Sequence, residues 1–149
     1  MPRTITAERV AKTAMTAIAA MTAMTELRLH GIPNCDTVKR ARAWLAGRGV
    51  PVRFHDFKRD GVPVDRLDAW LASLGWEHVL NRAGTTWRTL PDDTRAAVVD
   101  AVSARPLLVA QPSLIKRPLV EWPGGGLSVG FDEADWTRRL QAQGLDQGR

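Results

Sequence analysis

The sequence predicts an α/β fold in which a mixed four-stranded sheet is combined with a helical insertion. Three observations support this class. A strand–helix–strand pattern fills residues 26–57, helical periodicity dominates the middle of the chain, and two short strands precede a last helix. The first pattern needs parallel strands, whereas two strands joined by a tight turn are antiparallel. The predicted sheet therefore contains both kinds of pairing.

The first unit begins with alternation of polar and apolar residues over 26–30, as in a half-buried strand. Residues 31–35 form a turn, and the helical spacing that follows ends near Gly47. Alternation resumes over residues 50–57 and predicts a second strand. Together these residues form a βαβ unit.

The helical insertion is expected over about residues 62–106. Leucines at helical spacing predict a helix that ends at Gly75. A loop is expected over residues 82–90, followed by a helix from about residue 92 to residue 103. Pro106 is expected to forbid continuation of that helix, because proline lacks the N–H that a helix interior needs.

The last third returns to strands. Residues 119–122 and 127–130 flank a glycine-rich turn and predict a hairpin. A final helix is expected to start at Asp132, with Phe131 and Trp136 at the positions of a hydrophobic staple. The order β-α-β, helices, β-β-α matches the thioredoxin-like architecture, and we expect one such domain over residues 25–142.

The two ends of the chain differ from this domain. Residues 1–24 are rich in Ala and Thr, with a single acidic residue, and resemble a transit peptide only loosely. We expect a disordered extension there, which an alternative start at a later methionine would remove. Residues 143–149 are expected to form a flexible tail.

Composition excludes several classes of protein. The 149 residues contain 44% hydrophobic and 25% charged residues, as in ordinary globular proteins, and no apolar run long enough for a membrane span. A single cysteine excludes an internal disulfide and suits the reducing cytoplasm. The net charge of +5 is scattered, so we expect no direct nucleic-acid contact and at most a weak preference for small anions. No spacing of His, Cys or acidic residues indicates a metal site.

Cys35 is the candidate reactive residue. It lies between a predicted strand and a predicted helix, where free N–H groups and the helix dipole favour thiolate over thiol. Lys39 and Arg40 add positive charge nearby, although Asp36 opposes them. The alternative is that Cys35 serves only as a small buried apolar side chain.

Four segments of the sequence resemble the arsenate reductase (ArsC) superfamily, and within it the Spx/YffB-like branch, above all YffB-type proteins. They are residues 31–41 (GIPNCDTVKRA), 54–57 (FHDF), 80–87 (LNRAGTTW) and 115–119 (IKRPL). The resemblance implies a thioredoxin-like fold and a nucleophilic role for Cys35.

The resemblance also implies roles for residues beyond the cysteine. Arg82 and Arg117 correspond to arginines that bind the oxyanion substrate, for which a planar guanidinium is well suited. Asn34, next to the cysteine in its motif, is a further anion-binding candidate. Pro118 corresponds to a proline that is cis in thioredoxin-like folds.

Two positions depart from the family pattern. Gly130 stands where arsenate reductases of this type have a third arginine, which argues against inorganic arsenate as the substrate. Val38 stands where many relatives have a second cysteine. Because Cys35 is the only cysteine of the chain, a mixed disulfide on it must be resolved by an external thiol.

These features favour a glutathione-dependent thiol-disulfide reductase that holds no bound cofactor. Glutathione is the expected cosubstrate, with glutaredoxin or a thioredoxin-type protein as an alternative reductant, and the chain is expected to act as a monomer. Arsenate reductase coupled to glutathione and glutaredoxin is one alternative. A non-catalytic, Spx-like regulator that binds the RNA polymerase α subunit is another.

Overall fold

A computed structural model describes residues 26–145. The predictions made for residues 1–24, and for the tail beyond residue 145, lie outside this range. Four strands form one mixed sheet in the order β2-β1-β3-β4. The strands are β1 (Leu27–Gly31), β2 (Val52–Asp56), β3 (Leu119–Glu121) and β4 (Leu127–Val129). β1 is parallel to β2 and antiparallel to β3, and β3 is antiparallel to β4.

Eight α-helices are present within the described residues. They are α1 (Asp36–Gly47), α2 (Phe57–Asp60), α3 (Val64–Leu74), α4 (Trp76–Val79), α5 (Thr85–Arg88), α6 (Asp92–Ala96), α7 (Ala101–Ala110) and α8 (Glu133–Ala142). A 3₁₀ turn over Pro112–Leu114 leads towards β3. The sheet and its helices form the mixed α/β, thioredoxin-like fold that the sequence predicts, with helices α2–α7 between β2 and β3.

The two faces of the sheet carry separate apolar clusters. On one face Leu27 and Leu29 of β1 pack with the buried sides of α1 and α8, including Leu45 and Trp136. On the other face the helices of the insertion pack over Leu119 of β3. The alternation of side chains along each strand produces this division, because neighbouring residues point to opposite faces.

The start of α8 follows the predicted pattern. The Asp132 side chain accepts a hydrogen bond from the Asp135 N–H, which caps the helix. The rings of Phe131 and Trp136 are 4.7 Å apart at their centroids, as expected of a hydrophobic staple. This contact fixes the direction in which the chain leaves β4.

The insertion differs from the prediction at two places. The expected loop over residues 82–90 contains the single helical turn α5. The expected helix over residues 92–103 is wrong, because two helices, α6 and α7, occupy this region. Asp100 and Ser103 form a capping box that starts a new helix.

Pro106 lies inside α7 rather than beyond its end. The carbonyl left without a helical partner is that of Val102, four residues earlier. Val102 is 81% exposed, so this part of the helix faces solvent and water can take the place of the missing N–H. The proline is tolerated here for that reason.

None of the helices that the structure describes is long and apolar enough to cross a bilayer.

The end of β1 packs unusually closely on α1. A Cβ atom added to Gly31 would lie 2.8 Å from Cγ2 of Val38, a distance too short for two carbon atoms. Val38 is fully buried and β-branched, so it has little freedom to move aside. Glycine at position 31 therefore allows the first turn of α1 to lie directly against the strand.

We expect Gly31→Ala to lower the free energy of unfolding by about 1–3 kcal/mol, because the added methyl group overpacks this contact. Chemical denaturation measures the change. Gly47→Ala is the matched control, since a Cβ at that position meets no atom within 4 Å. In a Val38→Ala background the cost of Gly31→Ala should fall below about 0.5 kcal/mol. Equal costs in both backgrounds would show that the contact is not responsible.

Candidate active site

Four segments of the chain meet at one edge of the sheet. Gly31 of β1 pairs with Asp56 of β2. The register of β1 with β3 pairs His30 with Leu119, so the next position places Pro118 opposite Gly31. On the far side of Pro118, the Gly130 N–H donates to the Pro118 carbonyl oxygen at 2.9 Å. One end of each of the four strands therefore lies at this edge of the sheet.

Cys35 follows β1 at this edge and is the N-cap residue of α1. Its backbone is extended, with φ −112° and ψ 125°, and its carbonyl accepts the first helical hydrogen bond from the Lys39 N–H at 2.9 Å. Its side chain makes no capping hydrogen bond and is partly exposed. The sulfur thus lies at the positive end of a helix whose first N–H groups have no acceptor within the helix.

Arg117 lies at the same edge, one residue before Pro118. The Arg117–Pro118 peptide bond is cis, the isomer that the family resemblance implies. Arg117 is half-buried and has no ion pair among the described residues. The guanidinium group is therefore available to an anion that approaches the edge.

Arg82 reaches the region by a different route. Residues 79–81 pair with residues 114–116 through an isolated bridge between Leu80 and Ile115. Two hydrogen bonds flank the bridge, from the Lys116 N–H to the Val79 carbonyl at 2.8 Å and from the Asn81 N–H to the Leu114 carbonyl at 2.7 Å. The segment that carries Arg82 is thus tied to the segment that leads into Arg117.

The side chain of Arg82 is not directed at the cysteine in this structure. It is exposed, and its guanidinium carbon lies 5.6 Å from the centre of the Trp76 ring. Asn34 is also exposed, in the turn directly before Cys35. Within residues 26–145 no side chain hydrogen-bonds the Cys35 sulfur. The structure thus brings three of the predicted site residues, Asn34, Cys35 and Arg117, to one edge of the sheet. Arg82 lies on an adjoining segment.

Gly130 has a backbone conformation that explains the missing third arginine. Its φ is +82°, in the left-handed region that disfavours residues with a Cβ. A Cβ built on Gly130 meets no atom within 4 Å, so space is not the obstacle. The turn that joins β4 to α8 itself selects glycine at this position.

His30 lies five residues before Cys35 but belongs to the opposite face of the sheet. It is 2% exposed, with Nδ1 3.3 Å from the Leu119 carbonyl oxygen and Nε2 3.2 Å from Oε1 of Glu121. Nη1 of Arg66 donates to both carboxylate oxygens of Glu121 at 2.7 Å. The carboxylate is thus shared between an arginine and a histidine.

Two acceptors around one imidazole would suit its charged form, but other effects are larger. Burial above all, and then the nearby His55, lower the pKa of His30 to about 3, against the opposing effect of its hydrogen bond to the Leu119 carbonyl. Arg66 already neutralises Glu121, so the carboxylate offers little net attraction to a second cation. His30 is therefore a neutral structural residue at physiological pH and is not positioned to act on Cys35.

Sequence reasoning overlooked a group of basic residues on this same face. Arg28 pairs with Arg53, and His30 pairs with His55, in adjacent parallel strands. The signal was present in the sequence as an Arg-x-His pattern repeated in both strands, at residues 28–30 and 53–55. In the described part of the chain, no group of three or more His, Cys, Asp or Glu side chains is arranged to hold a metal ion.

A single cysteine at the N-cap of the first helix, at the same sheet edge as a cis-proline that directly precedes β3, defines a thioredoxin-like protein with a monothiol site. Comparison with known families agrees, because the ArsC family model matches residues 30–138. An uncharacterized protein of Haemophilus influenzae is 36% identical over 110 residues, which cover 74% of this chain and 95% of the relative. The chain belongs to the ArsC family.

Two of the solved structures that are similar to the chain share at least 45% identity with it. The YffB protein shares 45% identity with a TM-score of 0.72, covering 76% of this chain and 98% of its own. An arsenate reductase (ArsC) related protein from Brucella melitensis shares 49% identity with a TM-score of 0.62, covering 76% and 92%. These similarities confirm the resemblance to YffB-type proteins that the four sequence motifs indicate.

The neutral state of His30 predicts a pH-dependent stability. The unfolded chain takes up a proton on this histidine as the pH falls below about 6.5, whereas the folded chain resists protonation until about pH 3. The free energy of unfolding should therefore decrease as the pH falls through this window, with a slope from this group approaching about 1.4 kcal/mol per pH unit. Above pH 6.5 the contribution is constant.

Urea denaturation at several pH values measures this slope. Between pH 6.5 and pH 4, His30→Gln should remove the part of the slope of unfolding free energy against pH that comes from one bound proton. This holds whatever the effect of the substitution on stability at neutral pH. His78→Gln is the control, because His78 is exposed on α4. Identical slopes in the wild type and in His30→Gln would contradict the assignment.

Proposed function

We propose that the chain is a monothiol reductase that removes glutathione from mixed disulfides through Cys35. The observation that carries the proposal is the position of the only cysteine in the sequence, partly exposed at the N-cap of α1 and at the same sheet edge as the cis-proline. Its sulfur takes no part in capping, so it is free to react. Helix N-termini favour the thiolate, which is the nucleophile in disulfide exchange.

The proposed reaction has two exchange steps. The Cys35 thiolate attacks the glutathione sulfur of a mixed disulfide, and the substrate leaves as a thiolate that takes a proton from water. The thiolate of a free glutathione molecule then attacks the glutathione sulfur bound to Cys35. This step releases Cys35 as thiolate and forms glutathione disulfide from the free glutathione and the glutathione group of the substrate, so one free glutathione is consumed for each substrate thiol released.

Val38 supports an external thiol for the second step. It occupies the place of a resolving cysteine and is fully buried in the cluster beneath α1. The chain thus has no second thiol, and glutathione, glutaredoxin or a thioredoxin-type protein would supply the electrons. We propose that the protein acts as a monomer in this cycle.

The charges at the sheet edge support glutathione as the group that is bound. Glutathione carries two carboxylates, and a guanidinium binds a carboxylate through two parallel hydrogen bonds. Arg117 has no ion pair among the described residues and would bind one carboxylate. Arg82 would exchange its contact with Trp76 for the other, and Asn34 would donate from its side-chain amide.

The decisive experiment is turnover of a glutathionylated peptide with glutathione and glutathione reductase. We expect steady turnover by the wild type, an adduct of one glutathione on Cys35 by mass spectrometry, and neither in Cys35→Ser. Carboxymethylation of Cys35 by iodoacetate at pH 6, compared with pH 9, tests the thiolate directly. Alkylation that occurs only at the higher pH, together with no turnover, would reject the proposal.

The arginines make a separate prediction. Arg117→Gln and Arg82→Gln should each lower kcat/KM for the glutathionylated peptide by on the order of ten- to a hundredfold, since each loses charge-assisted hydrogen bonds of about 1.5–3 kcal/mol. The effect should lie mainly in KM. Arg117→Lys should recover only part of the loss, because lysine lacks the planar fork.

Two controls separate anion binding from damage to the cysteine. Arg88→Gln removes an exposed arginine from α5 and should leave the kinetics unchanged. Reduction of the uncharged bis(2-hydroxyethyl) disulfide should be nearly the same in all variants. A parallel loss with this neutral substrate would show that the arginines act on Cys35 rather than on the carboxylates.

Arsenate reduction is a second candidate, supported by membership of the ArsC family and by the name of the relative from Brucella melitensis. Here the Cys35 thiolate would displace one hydroxyl of arsenate as water. Two external thiols would then supply the two electrons that convert arsenic(V) to arsenic(III). Gly130 opposes this activity, because a compact oxyanion would have two arginines around it instead of three.

Gly130→Arg tests that argument. If the missing cation limits arsenate binding, the variant should reduce arsenate at least about tenfold faster than the wild type at subsaturating arsenate, the effect of one charge-assisted contact. It should also lose about 1–2 kcal/mol of stability from the left-handed backbone. Gly130→Ala has the same strain without the charge and should leave arsenate turnover unchanged. Equal rates in both variants would contradict the argument.

A further inference from the structure

A cleft of about 310 Å³ lies on the sheet face opposite α1 and is lined mainly by basic side chains. Three elements besides β1 contribute to it, namely β2, α2 and α3. Its titratable lining consists of Arg28, Arg53, Arg59, Arg66, His30 and His55, with Asp60 as the acidic member of the described lining. The volume is in the range of small-molecule sites, which begins at roughly 300 Å³.

The sheet places like charges directly opposite each other in this cleft. Arg28 and Arg53 are register partners in parallel strands, so their side chains emerge side by side on the same face. Like charges in such a pair repel and destabilise the sheet. The next pair on this face is His30 with His55, whose ring centroids are 5.3 Å apart. An anion between the strands would convert this repulsion into attraction.

The guanidinium groups are only partly satisfied by acids of the chain. Arg28 is half-buried and has no ion pair or hydrogen bond to its side chain among residues 26–145. Arg66 uses Nη1 alone for Glu121, so Nε and Nη2 have no acceptor in the described chain. Arg53 has one long contact, 3.8 Å to Glu26, and is 66% exposed. Several N–H donors therefore converge on the cleft without acceptors.

We propose that this cleft binds a compact oxyanion with at least two negative charges, held between Arg28, Arg53 and Arg66. Both phosphate and carboxylate groups fit the planar donor pairs of arginine. The cleft is distinct from the Cys35 edge, because Cys35 packs against the cluster beneath α1 and the sheet separates the two faces. The proposal is independent of the redox role assigned to Cys35.

Isothermal titration at low ionic strength tests the proposal with two probes, pyrophosphate for phosphate chemistry and citrate for carboxylates. We expect one site per chain for at least one probe. Its affinity should fall at least about tenfold in Arg28→Gln, since charge-assisted hydrogen bonds are lost. Arg53→Gln should show a similar loss of affinity, and it replaces Arg28→Gln as the test variant if Arg28→Gln folds poorly. The probe that binds more tightly identifies the ligand chemistry.

Arg138→Gln is the control for net charge, because Arg138 lies on α8 with its side chain 70% exposed. Its affinity for the probe should equal that of the wild type. Amide NMR shifts should cluster at residues 28, 53 and 66, and saturating probe should leave alkylation of Cys35 unchanged. No binding of either probe, equal affinity in Arg28→Gln, or loss of binding in Arg117→Gln alone would overturn the proposal.

Discussion

The antiparallel pairing of β1 with β3 is the constraint on which the candidate site depends. Three register pairs fix it, and together they carry Gly31 to the position opposite Pro118. A shift of one residue would turn Leu29 and Val120 away from the cluster beneath α1, so burial enforces the register. The loop that ends at Cys35 and the peptide bond that follows Arg117 are thereby brought to one edge, although Cys35 and Arg117 are 82 positions apart in the sequence.

The close packing of Gly31 on Val38 links this register to the chemistry of the thiol. Because α1 lies directly against β1, its first turn and Cys35 have a fixed position relative to the sheet edge. Val38 fills the space under the helix at this contact and is completely buried. A valine that packs this way stabilises the fold and also leaves the site without a second thiol.

Much of the fold and part of the candidate site could be predicted from the sequence, and the predictions that were wrong have physical causes. The strands and the last helix followed from alternation, the glycine-rich turn and the Phe131–Trp136 staple, all of which are local signals. The helix predicted over residues 92–103 was wrong because the Asp100–Ser103 capping box competed with its continuation. For the site, Cys35 and Arg117 come together through strand pairing that the topology implies. The contact of Arg82 with Trp76 depends on side-chain packing in the insertion, which no short pattern encodes.

The charged side chains of the strands lie mainly on one face of the sheet. On the face of α1 and α8 the strands present mainly apolar side chains, with Ser128 and, at the end of β2, Asp56 as polar members. The helix dipole at Cys35 therefore acts next to a medium of low polarity. The opposite face holds Arg28, His30 and Glu121 in the same strands. Arg53 also lies on this face, and the guanidinium groups of Arg28 and Arg53 keep their charge at any physiological pH. A sheet so arranged keeps the Cys35 sulfur and a cleft lined by arginines apart within one small domain.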